Sequence, residues 1–420
     1  MTKAIPNLQV SNTVKKIPFY IQIIIALLLG MAFGIFLPSA VTYIRWIGNL
    51  FMNALCMLIV PVIFFSVATS VEGICSERGG TFGRIGGKAF GLYVLTMLLA
   101  IATGLCLVWL IRPGSSVDGL ALSSDVPSQV GNFSATDIIS GFIPNNIFYA
   151  FSQNNTVPVI FVSILVGFFM TRISPEGRNA LLPILKGGYE ITLKMMTLVI
   201  SFAPLGVFAI VAKQFADAGN VGALLGGMMM YVVTVTAGLL IQTFITLPLL
   251  LRFMGRVNPM KHFRNMGVPL LTAFSTASSG ATLPLTLQAV KEKDGVSSKV
   301  ADFTVSLGAT INMNGAALLE CVAVIYIAQV YGVDLTLMQT ILISAMSLIC
   351  AIGSAGVPMS AMVMMAIILG VVGLPAEGIG LVIGVDRILD MLRTAVNVYG
   401  DTCVAVIVGK SEGEKLTIDI

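Results

Sequence analysis

Charge is the scarcest resource in this 420-residue sequence: Asp, Glu, Lys and Arg make up 10% of it, against 56% hydrophobic residues and a mean hydropathy of +0.95. Soluble domains carry roughly 25% charged residues, so the shortage excludes a water-soluble domain of ordinary surface. A net charge of only +4, spread over many loops, also excludes a disordered chain and a nucleic-acid-binding one. Histidine is nearly absent. Its one copy, His262, stands in a basic stretch and reads as a solvated loop residue, which removes His-based metal sites and His-centred triads. The six cysteines (Cys56, Cys75, Cys106, Cys321, Cys350 and Cys403) show no CxxC or other paired spacing. They read as small apolar residues in or beside membrane segments rather than as a disulfide framework. No nucleophile–base or metal constellation emerges, so the chain does not read as an enzyme. The first 16 or so residues are polar and carry no signal-peptide pattern.

What is abundant is long apolar sequence. Runs cover residues 18–37, 46–71, 89–111, 156–171, 191–211, 221–251, 303–330, 336–369 and 379–408. Each is long enough, or nearly so, to cross about 30 Å of hydrocarbon as a helix. Helix is the practical choice, because lipid offers no partner to an open sheet edge. The sequence therefore predicts an all-α multi-pass membrane protein whose partner is the lipid bilayer.

Lys and Arg set the orientation. With the N-terminus inside, the inner loops hold Lys15, Lys16, Arg84, Lys88, Arg172, Arg178, Arg252, Arg256, Lys261, Arg264, Lys291, Lys293, Lys299 and Lys410, among others. The outer loops hold only Arg45, Arg112 and Lys213. This asymmetry predicts both termini on the cytoplasmic side. The outer stretch 115–155 is long, polar and faintly acidic.

One segment resists a simple span. Residues 258–293 begin and end in basic, inside-type sequence, with the polar stretch Ser275-Thr-Ala-Ser-Ser-Gly-Ala-Thr-Leu-Pro284 between. A re-entrant hairpin returns to the face it entered from, and its polar tip is tolerated at membrane depth only beside a protein cavity. Residues 336–369 repeat the design around Gly353-Ser-Ala-Gly-Val-Pro358. Two interrupted segments in corresponding positions point to the inverted repeat of a secondary transporter and to its substrate site.

The last span reads Asp386-Arg-Ile-Leu-Asp-Met-Leu-Arg-Thr-Ala-Val-Asn-Val-Tyr-Gly-Asp401. At about 100° per residue, Asp386, Asp390, Arg393, Asn397 and Asp401 share an arc of about 80°, with Thr394 and Arg387 at its edge. Charges within a span are costly and by default functional. An ion pair between Asp390 and Arg393 at i, i+3 would account for two of these groups but not for the others on the stripe. A guanidinium is a rigid fork for a carboxylate, and a carboxylate suits an ammonium, so the pair describes a site for a small molecule bearing both groups, such as an amino acid. Asn397 and Asp401 supply the hard oxygens a sodium ion wants.

The preceding span contains Gly308-Ala-Thr-Ile-Asn-Met-Asn-Gly315, a cluster of poor helix formers that predicts local unwinding. Unwound carbonyls and Asn312 would coordinate a cation. Glu320, further along, is suited to carry a proton, or else faces a polar crevice.

These residues resemble the glutamate/aspartate and dicarboxylate:cation symporter family, which includes the excitatory amino-acid transporters. The resemblance runs from the first span to Lys410. It rests on the serine-rich first tip, the Asn-Met-x-Gly span, the Gly-x-Ala-Gly-Val-Pro second tip and the Asp-x-x-Arg-Thr-x-x-Asn-x-x-x-Asp last span. It implies eight transmembrane helices plus two re-entrant helical hairpins with inverted repeats, a glutamate-transporter-like fold. It further implies a homotrimer in the cell membrane, here a bacterial inner membrane. A scaffold would comprise residues 1–75 and 115–218, a sliding transport domain residues 76–114 and 219–410, and a cytoplasmic tail residues 411–420.

Carried over by motif position, Asp390 would bind the substrate amino group and Arg393 its side-chain carboxylate. Asn397 and the hairpin tips, with Ser278, Ser279, Gly356 and Val357, would hold the α-carboxylate. Met313, Ala316 and Thr394 would line the pocket. The resemblance puts one set of sodium ligands at Gly308, Asn312, Asn397 and Asp401, and a second at Thr310, Ala351, Ile352 and Ser354. A third, deepest set involves Tyr93, Thr96 and Asn314. Sodium would be the coupling ion, protons the alternative, with Glu320 at the position of a proton-linked glutamate; no other cofactor is implied.

The sequence also departs from the pattern. Asn314 replaces the family's carboxylate at the deepest sodium site, and Met97 stands where that site often has Ser. Ala316 and Leu319 replace the usual Thr and Tyr beside the substrate. The leading expectation is a sodium-coupled symporter for aspartate or glutamate. A proton-coupled dicarboxylate or glutamate carrier follows from Asn314 and Glu320, and a sodium-coupled neutral amino-acid carrier from Ala316 and Leu319.

Overall fold

The computed structural model describes residues 18–76, 80–115, 143–153, 156–218, 220–354 and 360–420. The apolar runs are helices, and among the described residues the sole β-type pairing is an isolated bridge between Val257 and Asp419. The helices are α1 (Phe19–Phe36), α2 (Arg45–Ser76), α3 (Gly80–Ile111), α4 (Ile147–Ser152), α5 (Thr156–Met170), α6 (Pro175–Ser201), α7 (Ala203–Asp217) and α8 (Val221–Ile241). After them come α9 (Pro259–Asn265), α10 (Gly267–Thr276), α11 (Ser279–Glu292), α12 (Ser298–Ile311), α13 (Asn314–Val330), α14 (Leu337–Gly353), α15 (Ser360–Val371) and α16 (Gly380–Ser411). The protein is an all-α membrane protein. The expected N-terminal stretch, most of the outer loop (116–142 and 154–155) and the second hairpin tip (355–359) lie outside the described residues.

Polar side chains start the helices where the apolar runs give way. Ser174 accepts from the Gly177 N–H at 3.2 Å, Asn220 from Ala223 at 3.0 Å, and Asn258 from Met260 and Lys261. Thr336 and Gln339 form a reciprocal capping box at the foot of α14. Each cap satisfies an N–H that the first helical turn leaves without a partner.

The fifth apolar run differs from its expected form. In place of one span over 191–211, α6 and α7 meet at Phe202 with a bend of 56°. Pro204, in the first turn of α7, has no N–H to give and its ring would crowd the carbonyl four residues back, so the helix restarts there. Pro248 is handled differently. The ladder of α8 widens into π turns at Gln242–Thr246 and again at Leu251–Gly255, and the helix passes the proline without stopping.

Two sets of helices pack chiefly within themselves. Helices α1, α2, α5, α6 and α7 form one; α3, α8, the hairpins, α12, α13 and α16 form the other. The first hairpin is α10 and α11, turned at Thr276–Ser279 with Ala277 left-handed at φ 50°. It packs on α16, while the second, α14 and α15, packs on α13 and on α2 of the other set. Charged pairs sit at the ends of the helices. Arg45 bonds Asp217 at 3.1 Å where α2 begins and α7 ends, and Lys88, with Arg84, bonds Glu412 where α3 begins and α16 ends.

Candidate functional site

Helix α16 is the spine of the site. Asp386, Asp390, Arg393, Asn397 and Asp401 are all buried, in a helix that is buried on nearly every face. Arg393 forks onto one oxygen of Asp390, with Nε at 3.0 Å and Nη2 at 2.7 Å from Oδ1. Arg387 approaches the other oxygen at 3.4 Å. Nη1 of Arg393 has no hydrogen-bond partner among the described residues. Thr394 donates its hydroxyl to the Asp390 carbonyl at 2.7 Å, which leaves its oxygen lone pairs available.

Beside this pair lies a buried polar cluster that sequence reasoning caught only in part. Glu320 on α13 and Asp386 on α16 are fully buried, and neither carboxyl has a hydrogen-bond partner among the described residues. The charge interactions of Glu320 run to Arg393 and Asp386. Tyr231 and Tyr326 stack at 4.9 Å, and their hydroxyls are likewise unpartnered there. Neither tyrosine carried a sequence signal, because a Tyr within an apolar span reads as packing.

The unwinding expected in 308–315 is centred on Asn312 and Met313, whose dihedrals (φ −92°, ψ 64° and φ −91°, ψ 57°) break the span between α12 and α13. The side chains around it converge. Asn312 donates Nδ2 to Asp401 Oδ1 at 3.0 Å and accepts from Thr96 Oγ1 at 3.0 Å. Asn397 accepts from the Gly315 N–H at 2.7 Å and directs its Nδ2 at the Met313 sulfur, 3.2 Å away. Gln242, in the first π turn, donates to the Thr96 carbonyl at 3.2 Å, a support the sequence reading missed. Two glycines admit this approach. A Cβ on Gly308 would lie 2.6 Å from Asp401 Oδ1, and one on Gly400 would lie 2.2 Å from Asn314 Nδ2.

This gathering of oxygens suits a hard cation. Both polar atoms of the buried Asn314 side chain lack a hydrogen-bond partner among the described residues, whereas buried polar groups ordinarily have one. The Tyr93 hydroxyl donates to the Thr304 carbonyl at 2.6 Å, and its own carbonyl lies 2.9 Å from Thr96 Oγ1, whose one proton is shared between that carbonyl and Asn312. The Thr310 side chain is exposed and bonds back to Leu307, so its carbonyl is what it can offer.

The hairpin ends come out as follows. Ser278 caps α11 by accepting from the Ala281 N–H at 3.3 Å, and Ser279 is buried. Ala351 and Ser354 are buried at the end of α14, where the Ser354 N–H bonds the Ala351 carbonyl at 3.4 Å; Ile352 is half-buried. Met313 and Ala316 are buried beside the break. Gly356 and Val357 lie outside the described residues.

One expectation is overturned. His262 is no solvated loop residue: it is completely buried in α9, 2.7 Å from Asp294 and 3.0 Å from Thr402. Burial came from partners 32 and 140 positions away, which local sequence does not announce. The six cysteines are free thiols, three of them buried, as expected.

Residues 19–411 match the Sodium:dicarboxylate symporter family. The chain belongs to that family. It is 30% identical to the proton/sodium-glutamate symport protein of Geobacillus stearothermophilus, over 95% of this chain and 96% of that one. It is 29% identical to excitatory amino acid transporter 3 of Oryctolagus cuniculus, over 94% of this chain and 85% of the relative. Similarity to neutral amino acid transporter B(0) of Bos taurus is also 29%, over 87% and 72%. As a member of a symporter family, the protein is a multi-pass membrane transporter, and these relatives are named for glutamate or amino acid transport, one of them for proton/sodium symport.

Proposed function

We propose that the protein is a secondary active symporter that carries acidic amino acids, aspartate or glutamate, into the cell together with sodium, by elevator-type alternating access, and that it is not an enzyme. The observation that carries the substrate class is the buried Asp390–Arg393 pair. Breaking a buried ion pair by removing one partner costs about 3–5 kcal/mol. A substrate with an ammonium and a side-chain carboxylate gives each partner a new opposite charge, so the pair is exchanged rather than abandoned. A neutral amino acid would leave Arg393 without a counter-charge, and a dicarboxylate would leave Asp390 facing a like charge.

Asn397 and the two tips, with Ser278, Ser279, Gly356 and Val357, would hold the α-carboxylate against Met313, Ala316 and Thr394. Sodium would sit among Gly308, Asn312, Asn397 and Asp401, with Tyr93, Thr96 and Asn314 as a third, deepest set. A second ion would sit between the carbonyls of Thr310 and those of Ala351, Ile352 and Ser354. The elevator reading draws support from the two self-packed helix sets, with residues 76–114 and 219–410 as the moving body and 1–75 and 115–218 as a trimeric scaffold. Both termini would be cytoplasmic, in a bacterial inner membrane.

A proton-coupled dicarboxylate or glutamate carrier is the second reading, favoured by an amide at Asn314 and by the buried, unpartnered Glu320. Competition against labelled aspartate uptake in proteoliposomes separates substrate classes. The proposal expects displacement by aspartate or glutamate, weak displacement by succinate and none by alanine or serine. Equal displacement by succinate or by serine overturns it.

A further inference from the structure

The buried imidazole is held on both sides. Thr402 Oγ1 lies 2.8 Å from the Tyr399 carbonyl and 3.0 Å from His262 Nε2. On the other side of the ring, Nδ1 lies 2.7 Å from Asp294 Oδ2. The second oxygen of Asp294 accepts from Asn265 at 2.8 Å, and its backbone carbonyl accepts from Thr417 of the C-terminal tail at 3.0 Å. The ring also stacks on Tyr399 with centroids 5.5 Å apart, and Cys403 Sγ is 3.7 Å from Nε2.

The partners of His262 on α16 are Tyr399, Thr402 and Cys403, which share one face of the helix at i, i+3 and i+4. The residues between them, Gly400 and Asp401, face Asn314 and Asn312. A single turn of α16 is thus gripped by His262 on one side and presents the candidate cation ligand on the other. The grip ties that turn to α9 and to the turn after α11, the two feet of the first hairpin.

We propose that His262 is a positioning residue for the coupling cation: its bonds to Thr402 and Asp294 fix the rotation and height of the 399–403 turn, and with it the carboxylate of Asp401. The inference rests on the sodium-coupled reading above. His262 itself touches neither substrate nor ion. Groups that orient ligands from behind commonly change metal affinity by about 10–100-fold when lost. A monovalent ion in a mixed site calls for the lower end of that range.

The test measures sodium half-saturation of aspartate uptake in proteoliposomes, substrate half-saturation at saturating sodium, and the sodium-induced rise in melting temperature in detergent. Thr402→Val removes the bond to His262 while keeping the side chain's shape. It is expected to raise the sodium half-saturation about tenfold and shrink the sodium-induced melting shift, with substrate half-saturation changed less than about twofold. Thr402→Ser, which keeps the hydroxyl, is expected to behave as the parent. His262→Phe and the double variant are expected to match Thr402→Val, because both changes cut one link. Should His262→Phe fail to fold, the Val and Ser pair decides. An unchanged sodium half-saturation in Thr402→Val, or a Ser variant no better than Val, overturns the positioning role alone. A parent protein blind to sodium in both uptake and melting overturns the sodium reading and this inference together.

Discussion

Asn397 of α16 accepts a 2.7 Å hydrogen bond from the backbone N–H of Gly315, 82 positions earlier, in the first turn of α13. That N–H is one of the donors a helix start leaves without an internal partner. A side chain on the last span therefore closes the break between α12 and α13 and holds the unwound residues beside Asp401. Asn397→Ala leaves the buried donor unsatisfied, at about 1–3 kcal/mol. The expected result is a lower melting temperature together with weaker sodium and substrate half-saturation. A variant that melts lower but transports with unchanged half-saturation would contradict the role of this bond in the site.

Arg393→Ala removes both guanidinium bonds to Oδ1 of the buried Asp390. Loss of one member of a buried pair is worth about 3–5 kcal/mol, so aspartate uptake is expected to fall by at least a hundredfold at low substrate. Radiotracer uptake of aspartate checks the direction, with the sodium-induced melting shift as the control for folding: uptake should collapse in a variant that still responds to sodium. Aspartate uptake like the parent's, or loss of the melting shift as well, would mean the guanidinium serves the fold and not the substrate.

Asn314→Asp restores a carboxylate where both amide atoms are now unpartnered. An added negative ligand should lower the sodium half-saturation and raise the steepness of the sodium dependence, read from uptake at graded sodium. No change in either would place Asn314 outside the cation site.

The tail offers a pH dependence with a defined sign. Lys88, donating at 2.7 Å, and then Arg84 hold the Glu412 carboxyl below the ordinary glutamate value of 4.5. A depressed carboxylate contributes while it is ionised and stops contributing as pH falls through its folded value. Hydrogen exchange of residues 412–420 should stay protected from about pH 8 down to about pH 5 and rise only below 4.5, after correction for intrinsic rates. Glu412→Gln should raise it at neutral pH and make no difference once the parent's Glu412 is protonated. Rising exchange at neutral pH in the parent would contradict the contact.

The parts of this architecture legible in sequence were those governed by local period or composition. The spans followed from apolar length, and the stripe from Asp386 to Asp401 followed from the helical repeat. The break at Asn312 followed from clustered Asn and Gly. The bend at Phe202 was not foreseen, because Pro204 lies inside an apolar run that membranes tolerate. The Tyr231–Tyr326 stack and the burial of His262 were hidden for a different reason. Each depends on partners brought together by tertiary packing, and a histidine flanked by Lys261 and Arg264 looks solvated until Asp294 and Thr402 close around it.

The central claim is that acidic amino acids move with sodium. The most direct measurement is labelled aspartate uptake into proteoliposomes with a sodium gradient and a proton gradient imposed separately. The account predicts concentrative uptake under an inward sodium gradient at equal pH, and none under an inward proton gradient with sodium absent from both sides. Uptake driven by protons in the absence of sodium would contradict it.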